Sequence, residues 1–287
     1  MKRLKKVKLI VTDLDGTLLN NSGQVSRRTL DSVRDLKGTG IAVALMTARA
    51  HSSAERIADG LGVASPIISL DGGLVRTPHS KVNIFASYMK PSIVRRAIIE
   101  ADKRLAGIIL FVDDKMVHRE FETMIPGYVE TLQLATQESD NLMSFANRTI
   151  QLVIGADSRR SIKAIARKVA GFFARIDSKL YRSSQYDNRW YVEMKNKSHS
   201  KATGLAHLEK HFHVKRTEVA VLGDFPNDIA AFERAGVKIG MKNAVWELKQ
   251  RADIITENTN DQDGAAEFFE FLFHLRTDGK YTGAPGR

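Results

Sequence analysis

The chain has 287 residues, of which 43% are apolar and 27% charged, so it suits one large globular domain or two modest ones. Cysteine is absent, which excludes disulfides, thiolate metal sites and cysteine nucleophiles. A formal charge of +11 would suit a nucleic-acid partner. Lys and Arg are, however, spread along the whole chain, and the dense cluster at residues 2–8 contains no aromatic residue, which argues against nucleic acid as the partner.

No apolar run approaches the roughly 20 residues that a membrane span needs, and we therefore expect no membrane partner. The basic N-terminal segment leads into an apolar stretch that ends at Val11, which is too short for the central region of a signal peptide. We interpret this segment as the lead into a buried strand and expect a cytoplasmic protein.

The N-terminal third alternates strands and helices. Residues 8–12, 41–46 and 66–70 are short apolar runs that predict strands, and apolar residues recur at helical spacing in 26–37 and 52–61. This alternation predicts right-handed βαβ units and a parallel sheet.

The middle third has a different pattern, with antiparallel pairs. The turn Asp113-Asp114-Lys115 is typical of a hairpin between strands 107–112 and 116–121. The other elements predicted in this region are helices at 91–106 and 161–173 and strands at 150–154, 179–183 and 189–194.

The parallel pattern then returns to the end of the chain, with a loose tail expected from Arg276. The predicted helices are 201–211, 229–235, 244–251 and 264–275, and the predicted strands are 218–222, 237–241 and 252–256. The sequence therefore predicts an α/β fold. Residues 1–81 and 190–287 are expected to form a Rossmann-like parallel-sheet core with helices on both faces, and residues 82–189 an inserted α+β cap domain.

Two acidic residues follow the first predicted strand, where ligands bind in an open parallel sheet. Asp13 and Asp15 are two apart in the segment DLDGT, so an extended chain points both the same way. Carboxylates this close need a shared proton or a cation, and Gly16 permits a turn beside them. The pattern predicts a site for a hard cation with oxygen ligands, although Asp-Gly is also common in simple surface turns.

Further polar residues follow other predicted elements. Thr47 could donate to a phosphate oxygen or cap a helix, and Lys201 could neutralise a phosphate or remain a solvated charge. Asp224, Asn227 and Asp228 follow a strand in the segment GDFPND, where Asp228 could also serve as a helix cap. So many acids at one sheet edge would repel one another, and a magnesium ion resolves that conflict.

These segments, in this order, resemble the four motifs of the haloacid dehalogenase superfamily: DLDGT at residues 13–17, the Thr of LMTAR, the Lys of HSKATG, and GDFPND at 223–228. Their order and spacing are similar to those of the Cof-type phosphatases, whose cap is an α/β insert after the third core strand. The later segment GVKIGMKNAVWELKQRADIIT, followed by residues 260–264, is similar to the same subfamily. The resemblance spans nearly the whole core and is weak within the insert.

The resemblance implies a Mg²⁺-dependent phosphatase that hydrolyses small phosphate monoesters. Asp13 would attack phosphorus and become an aspartyl-phosphate, and Asp15 would act first as acid and then as base. The residues implied to hold the metal are Asp13, the backbone carbonyl of Asp15, and Asp224, with Asp228 supporting them or holding Lys201. The residues implied to bind phosphoryl oxygens are Thr47, Lys201 and Asn227.

The chain departs from the family pattern at two positions. Ala48 stands where the family usually has Gly, a small change from which we expect little effect. Asp71 stands before Gly72 where the family usually has Asn. An acid there would repel a phosphate or accept a hydrogen bond from a substrate hydroxyl, which puts the usual phosphate-side role of this position in doubt.

The resemblance implies a small phosphorylated metabolite as partner and a monomer or homodimer. A sugar phosphate is the first choice of substrate, with a nucleotide or a pyridoxal or flavin phosphate as alternatives. The cap would close over the site and choose the leaving group. Its candidate contacts, each of which could equally be a solvated loop residue, are His118, Arg119, Tyr186, Asn188 and Arg189.

Two other functions remain open. A phosphotransferase or mutase would use the same acid and base but place the phosphate on an acceptor. A non-enzymatic nucleic-acid or regulatory binder would use the positive charge, which could also draw in anionic substrates or be a solvated surface. Such a binder has no need for a costly cluster of acids.

Overall fold

The computed structural model describes residues 2–119, 136–171, 175–182 and 189–277. Contacts divide the chain into two units. The first consists of Met1–Ala48, Ala54–Phe85 and Ser200–Arg287, and the second of Arg49–Ser53 and Ala86–His199. In the described ranges, no helix has both the length and the apolar character of a membrane span.

The described strands are, in chain order, β1 (Leu9–Asp13), β2 (Ala42–Met46), β3 (Ile67–Ser69), β4 (Leu74–Arg76), β5 (Asn83–Ala86), β6 (Gly107–Val112), β7 (Lys115–His118), β8 (Thr136–Glu138), β9 (Thr149–Ala156), β10 (Ile176–Arg182), β11 (Trp190–Asn196), β12 (Val219–Gly223), β13 (Val237–Gly240) and β14 (Ile254–Ile255). The described α-helices are α1 (Arg27–Gly38), α2 (His51–Gly60), α3 (Pro91–Asp102), α4 (Arg159–Ala170), α5 (Lys201–His211), α6 (Ile229–Phe232), α7 (Trp246–Lys249) and α8 (Gly264–Thr277).

The sheet of the first unit has β1 near its centre. Its strand order is β14-β13-β12-β1-β2-β3-β4-β5, with parallel pairing from β14 through to β3 and an antiparallel β3–β4 pair. Leu9, Ile10 and Val11 are fully buried, as expected of an apolar strand covered on both faces. The register pairs Asp13 with Met46 and Thr12 with Leu222, so the carboxyl ends of β1, β2 and β12 meet at one edge. The predicted α/β core is confirmed.

Helices cover this sheet through apolar faces. Helix α1 begins after Ser26, whose side chain accepts a hydrogen bond from the backbone N–H of Thr29, and it packs against α8. Phe268, Phe269 and Leu272 of α8 are fully buried in the core. Each such side chain contributes about 1.5–3 kcal/mol when it leaves water. This packing fixes the sheet whose edge carries the acidic residues.

The second unit is built on an antiparallel sheet. Its strand order is β10-β11-β9-β6-β7-β8, antiparallel except for the parallel β7–β8 pair. Helices α3 and α4 pack against each other, and Ile162, Ile165 and Val169 of α4 lie in the core of this unit. The β6–β7 hairpin turns at Asp113, whose φ of +52° is left-handed. The α+β character expected of the inserted region is therefore present.

The structure corrects the expected boundaries of this region. Strand β11 pairs with β9 and β10, although the prediction assigned residues from 190 onward to the core. The prediction placed the end of the inserted domain at a polar turn, but the strand after that turn still belongs to the antiparallel sheet. The contacts place the boundary between the two units at His199 and Ser200. At the C-terminus, Arg276 lies in α8 and donates to the carbonyl of Lys5, and the tail from residue 278 is outside the described residues.

Helix α5 approaches β3 closely through Gly204. A Cβ at this position would lie 2.5 Å from Ile68 Cγ2 and 3.2 Å from Gly72 Cα. Gly204→Ala is expected to lower the free energy of unfolding by about 1–3 kcal/mol, because the added methyl overpacks this contact. In the control Gly38→Ala, a Cβ at the end of α1 meets nothing within 4 Å, and the free energy of unfolding should stay unchanged or rise by up to about 1 kcal/mol. Urea unfolding measures both, and equal effects would contradict the close approach.

Candidate active site

The backbone of the loop after β1 packs against Asp224, an acidic residue that follows the neighbouring strand β12. Asp13 ends β1 and is 5% exposed, whereas Asp15 is exposed. Gly16 has a φ of +74°, and a Cβ there would lie 2.3 Å from Asp224 Oδ2. Only glycine accommodates both this backbone conformation and this approach. The DLDGT segment therefore packs directly on Asp224, as both follow strands that end at the same edge.

A buried lysine joins two of the acids. Lys201 is 1% exposed, and its Nζ donates to Asp13 Oδ1 at 2.7 Å and to Asp228 Oδ1 at 2.6 Å. Lys201 is the first residue of α5, whose start is fixed by Ser200 accepting from the backbone N–H of Thr203. The helix start therefore places the ammonium at the sheet edge, 188 residues along the chain from its partner Asp13.

Asp228 has both carboxylate oxygens engaged. Besides the bond to Lys201, its Oδ2 accepts from the backbone N–H groups of Asp224 and Phe225, each at 3.1 Å. A Cβ on Gly223 would lie 2.6 Å from Asp228 Cγ, so glycine is needed where β12 ends. Asp228 thus fixes the turn that carries Asp224.

Asp224 is the third member of the acidic group. Its Oδ1 accepts from the Thr17 hydroxyl at 2.9 Å. Asp13, Asp224 and Asp228 each offer an oxygen, and these oxygens lie within 4.8 Å of one another. Asn243, which the sequence analysis did not single out as a site residue, donates to the Gly16 carbonyl at 2.7 Å and so supports the same loop.

The charges of this group are unbalanced. Burial raises the pKa of Asp13 well above its ordinary value; the Lys201 charge opposes this rise, and Asp228 and Asp224 add to it. Burial likewise raises the pKa of Asp224 to about 6, against the hydrogen bond from Thr17. Burial acts to lower the pKa of Lys201, but the charges of Asp13 and Asp228 outweigh it and raise that pKa above its usual range. The single positive charge of Lys201 is therefore too small to balance the negative charges of three carboxylates.

The donor set fits a hard divalent cation. The second oxygens of Asp13 and Asp224 accept no hydrogen bond from the described residues, whereas both oxygens of Asp228 are engaged. A cation beside Asp13 and Asp224 would offset the excess negative charge and lower the pKa of both. These two residues are the side chains that would hold it, with Asp228 positioning Lys201 and the turn.

The other predicted phosphate-side residues lie at the same edge. Thr47 follows β2 and is buried, and its backbone carbonyl accepts from the N–H of Asp71 at 3.0 Å. Asn227 donates from Nδ2 to Asp71 Oδ1 at 2.9 Å. This contact joins residues 156 positions apart, and no local sequence pattern predicts it.

The candidate cap contacts are largely engaged within the second unit. Arg119 pairs with Asp102 at 2.7 Å, Arg189 pairs with Asp157 at 2.9 Å, and His118 Nδ1 lies 2.9 Å from the Arg119 carbonyl oxygen. Tyr186 and Asn188 lie outside the described residues. A role in choosing the leaving group stays a prediction for all of these positions.

Lys201→Met is expected to lower the free energy of unfolding by about 3–5 kcal/mol in metal-free buffer, because it leaves Asp13 and Asp228 buried without their cation. The control Lys210→Met changes an exposed residue on the same helix and should shift that free energy by no more than about 0.5 kcal/mol. Urea unfolding monitored by circular dichroism compares the two. Equal losses would show that the buried contact contributes nothing of its own.

Comparisons with known proteins agree with the fold and with the motifs. A family model described as haloacid dehalogenase-like hydrolase matches residues 10–269. The chain is 24% identical to the 5-amino-6-(5-phospho-D-ribitylamino)uracil phosphatase YitU of Bacillus subtilis, over 93% of this chain and 98% of that protein. It is 24% identical to a phosphoglycolate phosphatase of Archaeoglobus fulgidus, over 94% and 99%.

Solved structures give the same result. A haloacid dehalogenase-like hydrolase from Bacteroides thetaiotaomicron has a TM-score of 0.79 and 25% identity, over 93% of this chain and 99% of that one. A protein from Thermotoga maritima has a TM-score of 0.78 and 23% identity, over 97% and 99%, which supports the fold. The resemblance carried by the four motifs is confirmed: the chain belongs to the haloacid dehalogenase-like hydrolases.

Proposed function

We propose that this hydrolase is a Mg²⁺-dependent phosphatase that cleaves small phosphate monoesters through an aspartyl-phosphate on Asp13. The observation that carries the proposal is the buried Lys201 ammonium between Asp13 and Asp228, beside Asp224 at the carboxyl edge of a parallel sheet. The site combines a carboxylate that can act as a nucleophile, the fixed ammonium of Lys201 and carboxylate oxygens that accept no hydrogen bond from the described residues. This combination suits the transfer of a doubly charged phosphoryl group.

The reaction has two displacements. An oxygen of Asp13 forms a bond to phosphorus while the bond from phosphorus to the ester oxygen breaks, and Asp15 protonates the departing alcohol. Asp15 then takes a proton from water, whose oxygen attacks phosphorus and releases Asp13 and inorganic phosphate. The exposure of Asp15 supports this exchange of protons with solvent.

The remaining residues bind and orient the phosphoryl group. Lys201 holds Asp13 and offsets negative charge, Thr47 offers a hydroxyl, and Asn227 offers the amide N–H that Asp71 does not use. Mg²⁺ bound by Asp13, the Asp15 carbonyl and Asp224 would reduce the repulsion between nucleophile and ester and stabilise the transferring group.

The proposed substrate is a small phosphorylated metabolite, with a sugar phosphate as first choice. The names of the relatives from Bacillus subtilis and Archaeoglobus fulgidus refer to small phosphate esters, which supports a substrate of that size. A nucleotide, a pyridoxal or flavin phosphate, or transfer to an acceptor are the alternatives. A cytoplasmic location and a monomer or homodimer stay predictions from the sequence.

Asp13→Asn is expected to lower the rate of phosphate release from p-nitrophenyl phosphate in the presence of Mg²⁺ by at least about 10⁴-fold, because the nucleophile is lost. The control Asp31→Asn, a half-buried acid on α1 that pairs with Arg27 on the same helix, should retain the rate of the unmodified protein. Comparable rates in both variants would rule out Asp13 as the nucleophile. Phosphate found on an added sugar rather than in solution would favour the phosphotransferase.

Mg²⁺ is expected to raise the melting temperature, and a concentration 100 times the dissociation constant corresponds to about 2.7 kcal/mol of stabilisation. Asp224→Asn should weaken this response because it removes a charged ligand, whereas Asp31→Asn should leave it unchanged. Differential scanning fluorimetry with Mg²⁺ and with excess EDTA measures the effect. An undiminished response in Asp224→Asn would place the metal elsewhere.

A further inference from the structure

Asp71 lies in a turn that is held between two parts of the site. The turn follows β3, and Asp71 adopts the left-handed conformation with φ +53° and ψ +31°. Its N–H donates to the carbonyl of Thr47. Gly72 follows with φ +93°, so close to Ser200 that a Cβ would lie 1.9 Å from the Ser200 carbonyl oxygen. The backbone of Asp71 is therefore fixed relative to Thr47 and to the start of α5.

The carboxylate of Asp71 determines which end of the Asn227 side chain faces it. An ionised carboxylate only accepts hydrogen bonds, so the Asn227 nitrogen, and not its oxygen, must face Asp71. The observed contact has this arrangement, with Nδ2 donating to Asp71 Oδ1 at 2.9 Å. An amide at position 71 could donate or accept and would permit either orientation of Asn227.

This orientation leaves the side-chain oxygen of Asn227 as a buried acceptor. The oxygen has no hydrogen-bond partner among the described residues. Buried polar atoms are nearly always satisfied by protein or by ordered water, so in the free protein a water can serve this oxygen, and in the complex a donor on the substrate can replace it. A phosphoryl oxygen of a dianionic ester accepts hydrogen bonds and cannot fill that role, whereas a hydroxyl can.

We propose that Asp71 is a positioning residue that holds Asn227 with its side-chain oxygen presented to the substrate, and that this oxygen accepts a hydrogen bond from a substrate hydroxyl. The preferred substrates are then phosphate esters whose alcohol carries further hydroxyl groups. This inference rests on the proposed phosphatase function, whose substrate class it narrows. In this proposal Asp71 affects the substrate through Asn227, whereas the reaction itself is assigned to Asp13, Asp15 and Lys201.

The orientation is tested directly by NMR on protein with ¹⁵N-labelled Asn. The side-chain amide signal of Asn227 is identified by its loss in Asn227→Asp. We expect Asp71→Asn to move this signal, because the amide loses its charged acceptor. The control Asp263→Asn makes the same substitution at another left-handed Asp, with φ +62°, and should leave the signal in place. A signal that is unmoved in Asp71→Asn overturns the positioning claim.

The hydroxyl preference is tested with a matched pair of esters, glycerol 1-phosphate and n-propyl phosphate, which differ in two hydroxyl groups. The unmodified protein should have the higher kcat/KM with glycerol 1-phosphate. In Asp71→Asn the ratio of the two kcat/KM values should fall about tenfold, because the Asn227 amide is free to turn. Asp263→Asn should keep the ratio of the unmodified protein.

A double variant that exchanges the residues at positions 71 and 227 tests whether the preference for the hydroxylated ester can be restored. Asp71→Asn combined with Asn227→Asp restores a donor at position 71 and an acceptor at position 227, so the ratio should recover toward that of the unmodified protein. A ratio that is unchanged in Asp71→Asn, with both esters still turned over, overturns the inference and leaves the proposed function intact. Failure to cleave either ester in Mg²⁺ contradicts the proposed function and the hydroxyl preference together, and the NMR measurement still decides the role of Asp71.

Discussion

The buried ammonium of Lys201 is the interaction on which the site depends. Removing a charge from water is costly, and it is tolerated only where partners are close and well placed. Asp13 and Asp228 meet that condition at 2.7 and 2.6 Å, but they do so only if α5 begins at Lys201 and the turn after β12 is closed. The Ser200 cap provides the first condition, and the two backbone N–H groups that Asp228 accepts provide the second. The local backbone and the central ion pairs therefore stabilise one another.

The same arrangement explains why the site needs both glycines and why its residues would suit a cation. Gly16 and Gly223 leave no room for a Cβ, which would lie within 3 Å of carboxylate atoms of Asp224 and Asp228, so the carboxylates pack closely in a buried place. Lys201 offsets part of it, yet the pKa of Asp13 and that of Asp224 are still raised, chiefly by burial. A raised pKa favours the neutral form of these carboxyl groups, which is less nucleophilic than the carboxylate. A divalent cation at these oxygens would favour the charged form of both groups, so in the proposed phosphatase metal binding would also activate the nucleophile.

Most of the strands and motifs that were predicted correctly came from local sequence patterns. Strands β1, β2 and β12 are apolar runs whose ends place the acids, and four short motifs identified the family. Strands β4, β5 and β8 were not predicted, because segments of three or four residues show no clear alternation of apolar and polar residues. The boundary at residue 190 was wrong because a polar turn marks a hairpin as readily as the end of a domain. Contacts such as that between Asn227 and Asp71 depend on the tertiary fold, which no spacing rule reveals.

The sequence predicted that the inserted unit would select the substrate, and the turn after β3 offers a second place for that selection. In the proposal, Asp71 alters what Asn227 presents to the substrate, so the choice of ester could change while the reacting groups stay the same. The turn is also rigid, because Gly72 lies against the start of α5 and allows no room for a side chain. A carboxylate on a fixed backbone can hold the acceptor of Asn227 in one orientation. If Asn227 accepts a substrate hydroxyl in this way, the core of the chain takes part in choosing the substrate as well as in cleaving it.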